Sequence, residues 1–164
     1  MLGQTRQRQG FRATVAMASS FSSNYAGDVT PAQAWERLQA DPNAQMIDVR
    51  TTAEWHFVGL PDLSPLGRQV HCIEWQDFPT GTPNPRFVER ARAVLEAAGP
   101  GQDATVLLLC RSGARSRAAA IALTAAGFGT CFNISQGFEG DRDGEGHRGH
   151  SGGWKAAGLP WRQN

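Results

Sequence analysis

The sequence has almost no lysine: of its 16 basic residues only Lys155 is not arginine. It has one tyrosine, Tyr25, and only three cysteines, Cys72, Cys110 and Cys131. These are odd in number and far apart, and they form no Cys-x-x-Cys pair. That argues against a zinc ribbon or a thioredoxin-type dithiol and points to a reducing, cytoplasmic setting. Charge of one sign is lacking too. A formal net charge of +1 offers no electrostatic basis for nucleic acid or a membrane surface as partner. No apolar run approaches the ~18 residues that a bilayer span requires. The candidate nearest the start, Phe11 to Ala18, is interrupted by Arg12. What is present, 40% hydrophobic and 19% charged residues over 164 positions, suits one globular domain with its own core. The arginine bias, with abundant Ala and Gly, fits a GC-rich bacterial genome.

Residues 1–27 hold Arg6, Arg8 and Arg12, a serine cluster after Met17, and no acid before Asp28. Such a stretch resembles an organelle transit segment in composition. It is read here as a disordered extension, or as a start placed ahead of Met17. The folded domain is expected over 28–164.

Within it, helical and strand-like segments alternate, which predicts an α/β domain. Thr30-Pro31 reads as a helix start, with Thr at the N-cap and Pro at the first helical position, running to about Ala40. Gln45 to Val49 reads as a buried parallel strand, Thr51 to His56 as a short helix, and Gly59 to Gly67 as a loop. Val70 to Ile73 is a second strand. A helix opening near Asn84-Pro85 carries Phe87, Ala91 and Leu95 at helical spacing. Ala104 to Leu109 is apolar on both faces and is expected at the centre of the sheet. Ser116 to Ala126 is an Ala-rich helix, Thr130 to Ile134 a last strand, and the Gly-rich tail from Gln136 a long ordered loop.

The chemistry concentrates between the 104–109 strand and the 116–126 helix. Ligands of open parallel sheets bind beyond the carboxyl ends of the strands, and Cys110 sits there. Arg111, Ser112, Gly113, Ala114, Arg115 and Ser116 follow and lead into a helix N-terminus. Backbone N–H groups, the helix dipole and two guanidinium groups would favour a thiolate, an oxyanion or a persulfide at this place. A small buried cysteine closing a core strand is the plainer reading, but the flanking Arg, Ser and Gly residues do not suit a core.

The segments Ile47-Asp48-Val49-Arg50, Cys110-Arg111-Ser112-Gly113-Ala114-Arg115-Ser116 and Asn133-Ile134-Ser135-Gln136-Gly137-Phe138 resemble the single-domain rhodaneses, as do their order along the chain and the intervening helices. The resemblance covers roughly Asp28 to Trp161. It implies a three-layer α/β/α fold with a central, mostly parallel five-stranded sheet. It also implies a sulfurtransferase that moves sulfane sulfur from a small anionic donor such as thiosulfate to cyanide or a thiol acceptor, or to an acceptor protein. Cys110 would be the nucleophile carrying a persulfide, and Arg111 to Ser116 would bind the substrate. No metal and no organic cofactor is implied. Two segments depart from the family's pattern: Phe57-Val58-Gly59-Leu60-Pro61-Asp62-Leu63 with its longer connection, and the tail from Gly140 to Trp154.

Other residues weigh less. Asp48 and Arg50 read as a structural ion pair supporting the loop, and Glu54 as a structural partner for Arg50 or Arg115. Cys72 and Cys131 read as core. His147 and His150 show no third metal ligand in sequence. Asp141, Asp143 and Glu145 lack the closing Glu of a calcium loop. Trp154 and Trp161 are expected to pin the tail, and Trp75 with Phe78 to line the pocket. Two further functions compete with turnover of sulfur. One is a partner-dependent sulfur carrier or regulatory binding module. The other is a cysteine phosphatase, which needs five intervening residues between Cys and Arg, where Cys110 and Arg115 have four.

Overall fold

The computed structural model describes residues 24–164. Of the proposed extension, residues 1–23 lie outside the described residues. Eleven helices and strands follow in order: β1 (Gly27–Val29), α1 (Pro31–Ala40), β2 (Gln45–Asp48), α2 (Thr52–Phe57), β3 (Leu60–Pro61), β4 (His71–Cys72), α3 (Phe87–Ala98), β5 (Thr105–Leu109), α4 (Ala114–Ala125), β6 (Thr130–Ile134) and β7 (Trp161–Arg162). Two short 3-10 turns, Ser64–Leu66 and Gly101–Asp103, complete the described elements.

Five strands form one sheet in the order β1-β6-β5-β2-β4, and every pairing in it is parallel. The expected fold class is therefore the observed one. β5 takes the central position because its side chains are apolar on both faces: Val106 and Leu108 join the cluster under α3 and α4, while Leu107 and Leu109 join the cluster under α1. Period-two alternation along a strand dictates that division. Each such fully buried side chain contributes about 1.5–3 kcal/mol, and all four are 0% exposed.

Local signals place the helices. Thr30 caps α1, its hydroxyl accepting from Gln33 N–H at 3.1 Å while the Gln33 amide oxygen accepts from Thr30 N–H at 2.9 Å. Thr51 and Glu54 build the same reciprocal cap on α2. Such caps are each worth about 1 kcal/mol. α3 buries Phe87, Ala91 and Leu95, one stripe at helical spacing.

Four details differ from the sequence reading. Ala26 and Gly27, assigned above to the extension, belong to the sheet: Ala26 N–H donates to the Cys131 carbonyl and Gly27 pairs with Phe132. Leu60–Pro61, read as loop, pairs antiparallel with Trp161–Arg162, and two-residue strands are too short to carry a period. α3 opens at Phe87 rather than at Pro85, because Asn84 takes up a turn whose side-chain oxygen accepts from Arg86 N–H. α4 begins at Ala114, two residues before the sequence boundary.

The Gly-rich tail is ordered over one face. Trp154 is fully buried, meets Trp35 edge to face with ring centroids 5.9 Å apart, and donates its indole N–H to the Pro160 carbonyl at 2.7 Å. It pins the tail as expected. Among the described residues no helix is long and apolar enough to cross a membrane.

Candidate active site

Cys110 follows the last residue of β5 and lies on the α3/α4 face of the sheet, 2% exposed. The chain then turns through Arg111, Ser112 and Gly113. Gly113 has φ +113° and its missing Cβ leaves room for the Ser135 carbonyl. Only glycine meets both demands there. Because α4 starts at Ala114, the residues Ala114, Arg115 and Ser116 form its first turn. Among the described residues their backbone N–H groups donate to no carbonyl. These are the free donors that every helix N-terminus leaves, at the positive end of its dipole. The Cys110 sulfur accepts a hydrogen bond from Gly113 N–H and lies within hydrogen-bond distance of the Ser116 hydroxyl, each at 3.1 Å.

A second segment holds this cradle open. Phe138 N–H donates to the Cys110 carbonyl at 2.8 Å, and Glu139 and Gly140 N–H groups donate to the Arg111 carbonyl at 3.0 and 3.2 Å. The Cys110 and Arg111 carbonyls are turned toward 138–140, and the loop presents the Gly113 amide to the sulfur. The approach is close: a Cβ on Gly137, whose φ is +63°, would stand 2.5 Å from the Cys110 and Arg111 carbonyl oxygens.

The Ser116 hydroxyl has a further partner. It lies 2.6 Å from Asn133 Oδ1; Asn133 Nδ2 donates to Asp28 at 3.0 Å, and Tyr25 donates to the same Asp28 oxygen at 2.8 Å. One hydroxyl carries one proton, so the sulfur and the Asn133 oxygen compete for it. Asn133 and Asp28 were not singled out from the sequence. The available signal was an asparagine between Phe132 and Ile134 in β6, which the structure buries to 3% exposure.

Two ion pairs flank the loop. Arg115 reaches across to α2 and binds Glu54 through both carboxylate oxygens, at 2.7 and 3.0 Å. Burial alone would raise the Glu54 carboxyl, but the Arg115 guanidinium and the Thr51 cap outweigh it and hold the group below its ordinary value. The same pair keeps Arg115 charged in spite of its burial. Arg115, assigned from sequence to the substrate, is thus already engaged by a carboxylate. Asp48 and Arg50, both 0% exposed, pair with each other. Arg50 also donates to the Gly59 carbonyl at 2.8 Å and stacks 4.3 Å over the Phe138 ring, which ties the end of β2 to the 138–140 segment.

Beside the loop opens a cavity of about 690 Å³, walled by Arg111 and Arg115, by Glu54, Phe57 and Val58 from α2 and its end, by the Gln76–Gly81 turn, and by Glu139 and Arg148 from the tail. Phe57 and Phe78 stand out at 83% and 71% exposure. Phe78 lines the cavity as expected. Trp75 does not: it packs edge to face on Phe87 in the core, centroids 5.1 Å apart. Ser112 and Gly113 belong to the cradle rather than to the cavity wall. The other cysteines are apart from this chemistry. Burial pushes the Cys72 thiol up to about 12 and the Cys131 thiol up to about 11.

The family described as the STR4 middle domain matches residues 26–164. A Rickettsia rickettsii protein described as an uncharacterized RP600 homolog is 33% identical over 135 residues, which is 82% of this chain and 96% of that one. Rhodanese-like domain-containing protein 4 of Arabidopsis thaliana, chloroplastic, is 28% identical over 78% of this chain, and the match spans 24% of that larger protein. Among solved structures, Rv0390 from M. tuberculosis superposes with a TM-score of 0.74 at 49% identity, covering 86% of this chain and all of that one. The polysulfide-sulfur transferase homodimer of Wolinella succinogenes superposes with a TM-score of 0.54 at 21% identity, over 87% of this chain and 82% of that one, a likeness of fold alone.

Proposed function

The chain belongs to the STR4 middle-domain family and has a rhodanese-like fold, and on that premise we propose that it is a sulfurtransferase working through a persulfide on Cys110. The observation that carries the reading is the Cys110 sulfur at the N-terminus of α4, accepting from Gly113 N–H and within reach of the Ser116 hydroxyl, at 3.1 Å each. Donors fixed in this way favour sulfur in its anionic form.

In the first half-reaction the Cys110 thiolate attacks the outer sulfur of thiosulfate. A Cys–S bond forms, the donor's S–S bond breaks, and sulfite leaves with the bonding pair. The outer sulfur of the resulting persulfide carries the negative charge, which the amides of Ala114, Arg115 and Ser116 stabilise. In the second, cyanide or a thiolate attacks that outer sulfur, and Cys110 leaves as the thiolate, so no net electron transfer to the protein remains. Arg111, exposed at the cavity, attracts the anionic donor. Arg115, bound to Glu54, shapes the wall and holds α2 against the loop. No cofactor takes part in either step.

A protein acceptor is a second reading. Thiosulfate fills a small part of 690 Å³, and the exposed Phe57 and Phe78 at the wall suit a larger partner presenting a thiol. The phosphatase alternative has less support, since the Cys-x4-Arg loop is short for a phosphoryl group and Arg115 is engaged by Glu54.

The test is intact-protein mass spectrometry after incubation with thiosulfate, on wild type and Cys110→Ser, followed by cyanide. One sulfur gained by wild type alone and removed by cyanide is the expected result. Loading followed by slow cyanide release would favour the protein-acceptor reading. No adduct on reduced wild type would sink the proposal.

A further inference from the structure

The sequence offered His147 and His150 without a third ligand; the fold supplies one. Asp143 Oδ2 lies 3.1 Å from His150 Nδ1, and one donor atom from each of Asp143, His147 and His150 lies within 4.8 Å of the others. We propose that these three side chains form a binding site for a divalent transition-metal ion, with zinc the ion that fits best.

The donor set decides the class. Two imidazoles and one carboxylate suit zinc and its neighbours, whereas magnesium and calcium take oxygen ligands. The spacing agrees. Two ligand atoms at ~2.0 Å from a tetrahedral zinc stand roughly 3.3 Å apart, close to the Asp143–His150 separation of 3.1 Å. His147 must close the remaining gap, and its side chain is 62% exposed and free to turn. Its Nδ1 also lies 3.9 Å from Glu145, a carboxylate placed to accept from the imidazole or to complete the coordination shell.

The loop is shaped before any ion arrives, which lowers the ordering cost of binding. Asp143 Oδ1 accepts from the N–H groups of Glu145 and His147, each at 2.9 Å, which leaves Oδ2 facing the histidines. Asp143 N–H donates to the His147 carbonyl at 2.7 Å, and Gly149 N–H donates to the Glu139 carbonyl at 2.7 Å. The same loop carries Arg148, held by the Gly140 carbonyl and lining the cavity beside Cys110. One ion held by His147 and His150, which flank Arg148 in the sequence, therefore fixes the segment that presents it.

Zinc chloride titrated by calorimetry into the full-length Cys110→Ser protein, which removes the loop thiolate as a competing ligand, tests the site. One zinc per chain is expected. His147→Ala and His150→Ala should each weaken binding by at least roughly tenfold, and His56→Ala should not. The imidazole nitrogens of both histidines should shift in long-range proton–nitrogen spectra, and amide exchange over 144–149 should slow. No uptake at micromolar zinc, uptake indifferent to both histidine variants, or equal uptake of magnesium would overturn the proposal. Binding with unchanged exchange would overturn the fixing of Arg148.

Discussion

Replacing Arg50 with methionine should destabilise the domain by about 3–5 kcal/mol, the usual cost of leaving one partner of a buried ion pair alone. Methionine keeps most of the stem's volume and removes the charge. The lost contacts are specific: Nε bonds both Asp48 oxygens at 3.0 and 3.1 Å, Nη2 bonds Oδ2 at 2.6 Å, and Nη2 also bonds the Gly59 carbonyl at 2.8 Å. Asp48, 0% exposed, would retain only the Arg50 backbone N–H at 3.0 Å. One term acts the other way. Arg50 Nη1 is buried without a partner among the described residues, and deleting it returns about 1 kcal/mol. With that gain subtracted the net loss is about 2–4 kcal/mol, and in urea, with a slope of about 2 kcal/mol per M, the midpoint should fall by roughly 1–2 M. The double variant Asp48→Asn/Arg50→Met removes the orphaned charge and keeps an oxygen for Arg50 N–H. It should recover at least about 1 kcal/mol relative to Arg50→Met. A midpoint shift under about 0.5 M for Arg50→Met, or no recovery in the double variant, would refute the claim that an uncompensated Asp48 dominates the loss.

Other consequences are equally open to measurement. Ser116→Ala should fold normally, as judged by circular dichroism, yet load persulfide about 10²-fold more slowly, because one fixed donor to the sulfur is gone; unchanged loading would remove Ser116 from the mechanism. Gly137→Ala forces a side chain into a φ of +63° against two loop carbonyls, so a melting experiment should show at least about 1–3 kcal/mol lost, together with lost loading. The Glu54–Arg115 pair depresses Glu54 below its ordinary value of 4.5. Its stabilisation is therefore full above that value and disappears as pH falls through the depressed one. The stability gap between wild type and Glu54→Gln should be constant near neutrality and shrink in acid; a gap independent of pH would contradict the sign. Native Cys110→Ser should take up no iodoacetamide at pH 8, since the remaining thiols sit near 12 and 11, and rapid labelling of either would refute that assignment.

Much of the fold was legible because local and tertiary signals agree. The Thr30-Pro31 cap, the Phe87–Ala91–Leu95 stripe and the two-sided apolar run of β5 each dictate one element and one burial pattern. The elements that escaped are those that tertiary pairing alone creates. Gly27–Val29 is a strand because β6 offers it an edge, and Leu60–Pro61 because Trp161–Arg162 returns to meet it. The site divides along the same line. Cys110 to Ser116 are contiguous, so the cradle is written in one segment. Glu54, read from sequence as a structural partner for Arg50 or Arg115, does pair with Arg115 across 61 positions, whereas the roles of Asp28 and Asn133 depend on contacts across 105 and 17 positions that the sequence does not show. The metal triad shows the same limit: Asp143 lies seven positions from His150, and only the turn that brings it back makes three ligands of two.

The pairing of Arg115 with Glu54 changes how charge at the mouth must be understood. Read along the chain, the loop holds two cations beside the sulfur. In the fold one of them is neutralised by a carboxylate, so in the proposed reaction attraction of an anionic donor falls to Arg111 and to Arg148 from the tail. Glu139 sits in the same wall and opposes them. Selectivity for anions at this mouth then depends on where the tail holds Arg148, and the Gly140 carbonyl and the 143–150 turn are what hold it. Arg148→Ala should accordingly raise the thiosulfate concentration needed for half-maximal loading several-fold and leave the maximal loading rate unchanged, because Arg148 attracts the donor but does not touch the sulfur. A fall in the maximal rate with an unchanged half-saturation would mean that the residue acts on the transferring sulfur itself.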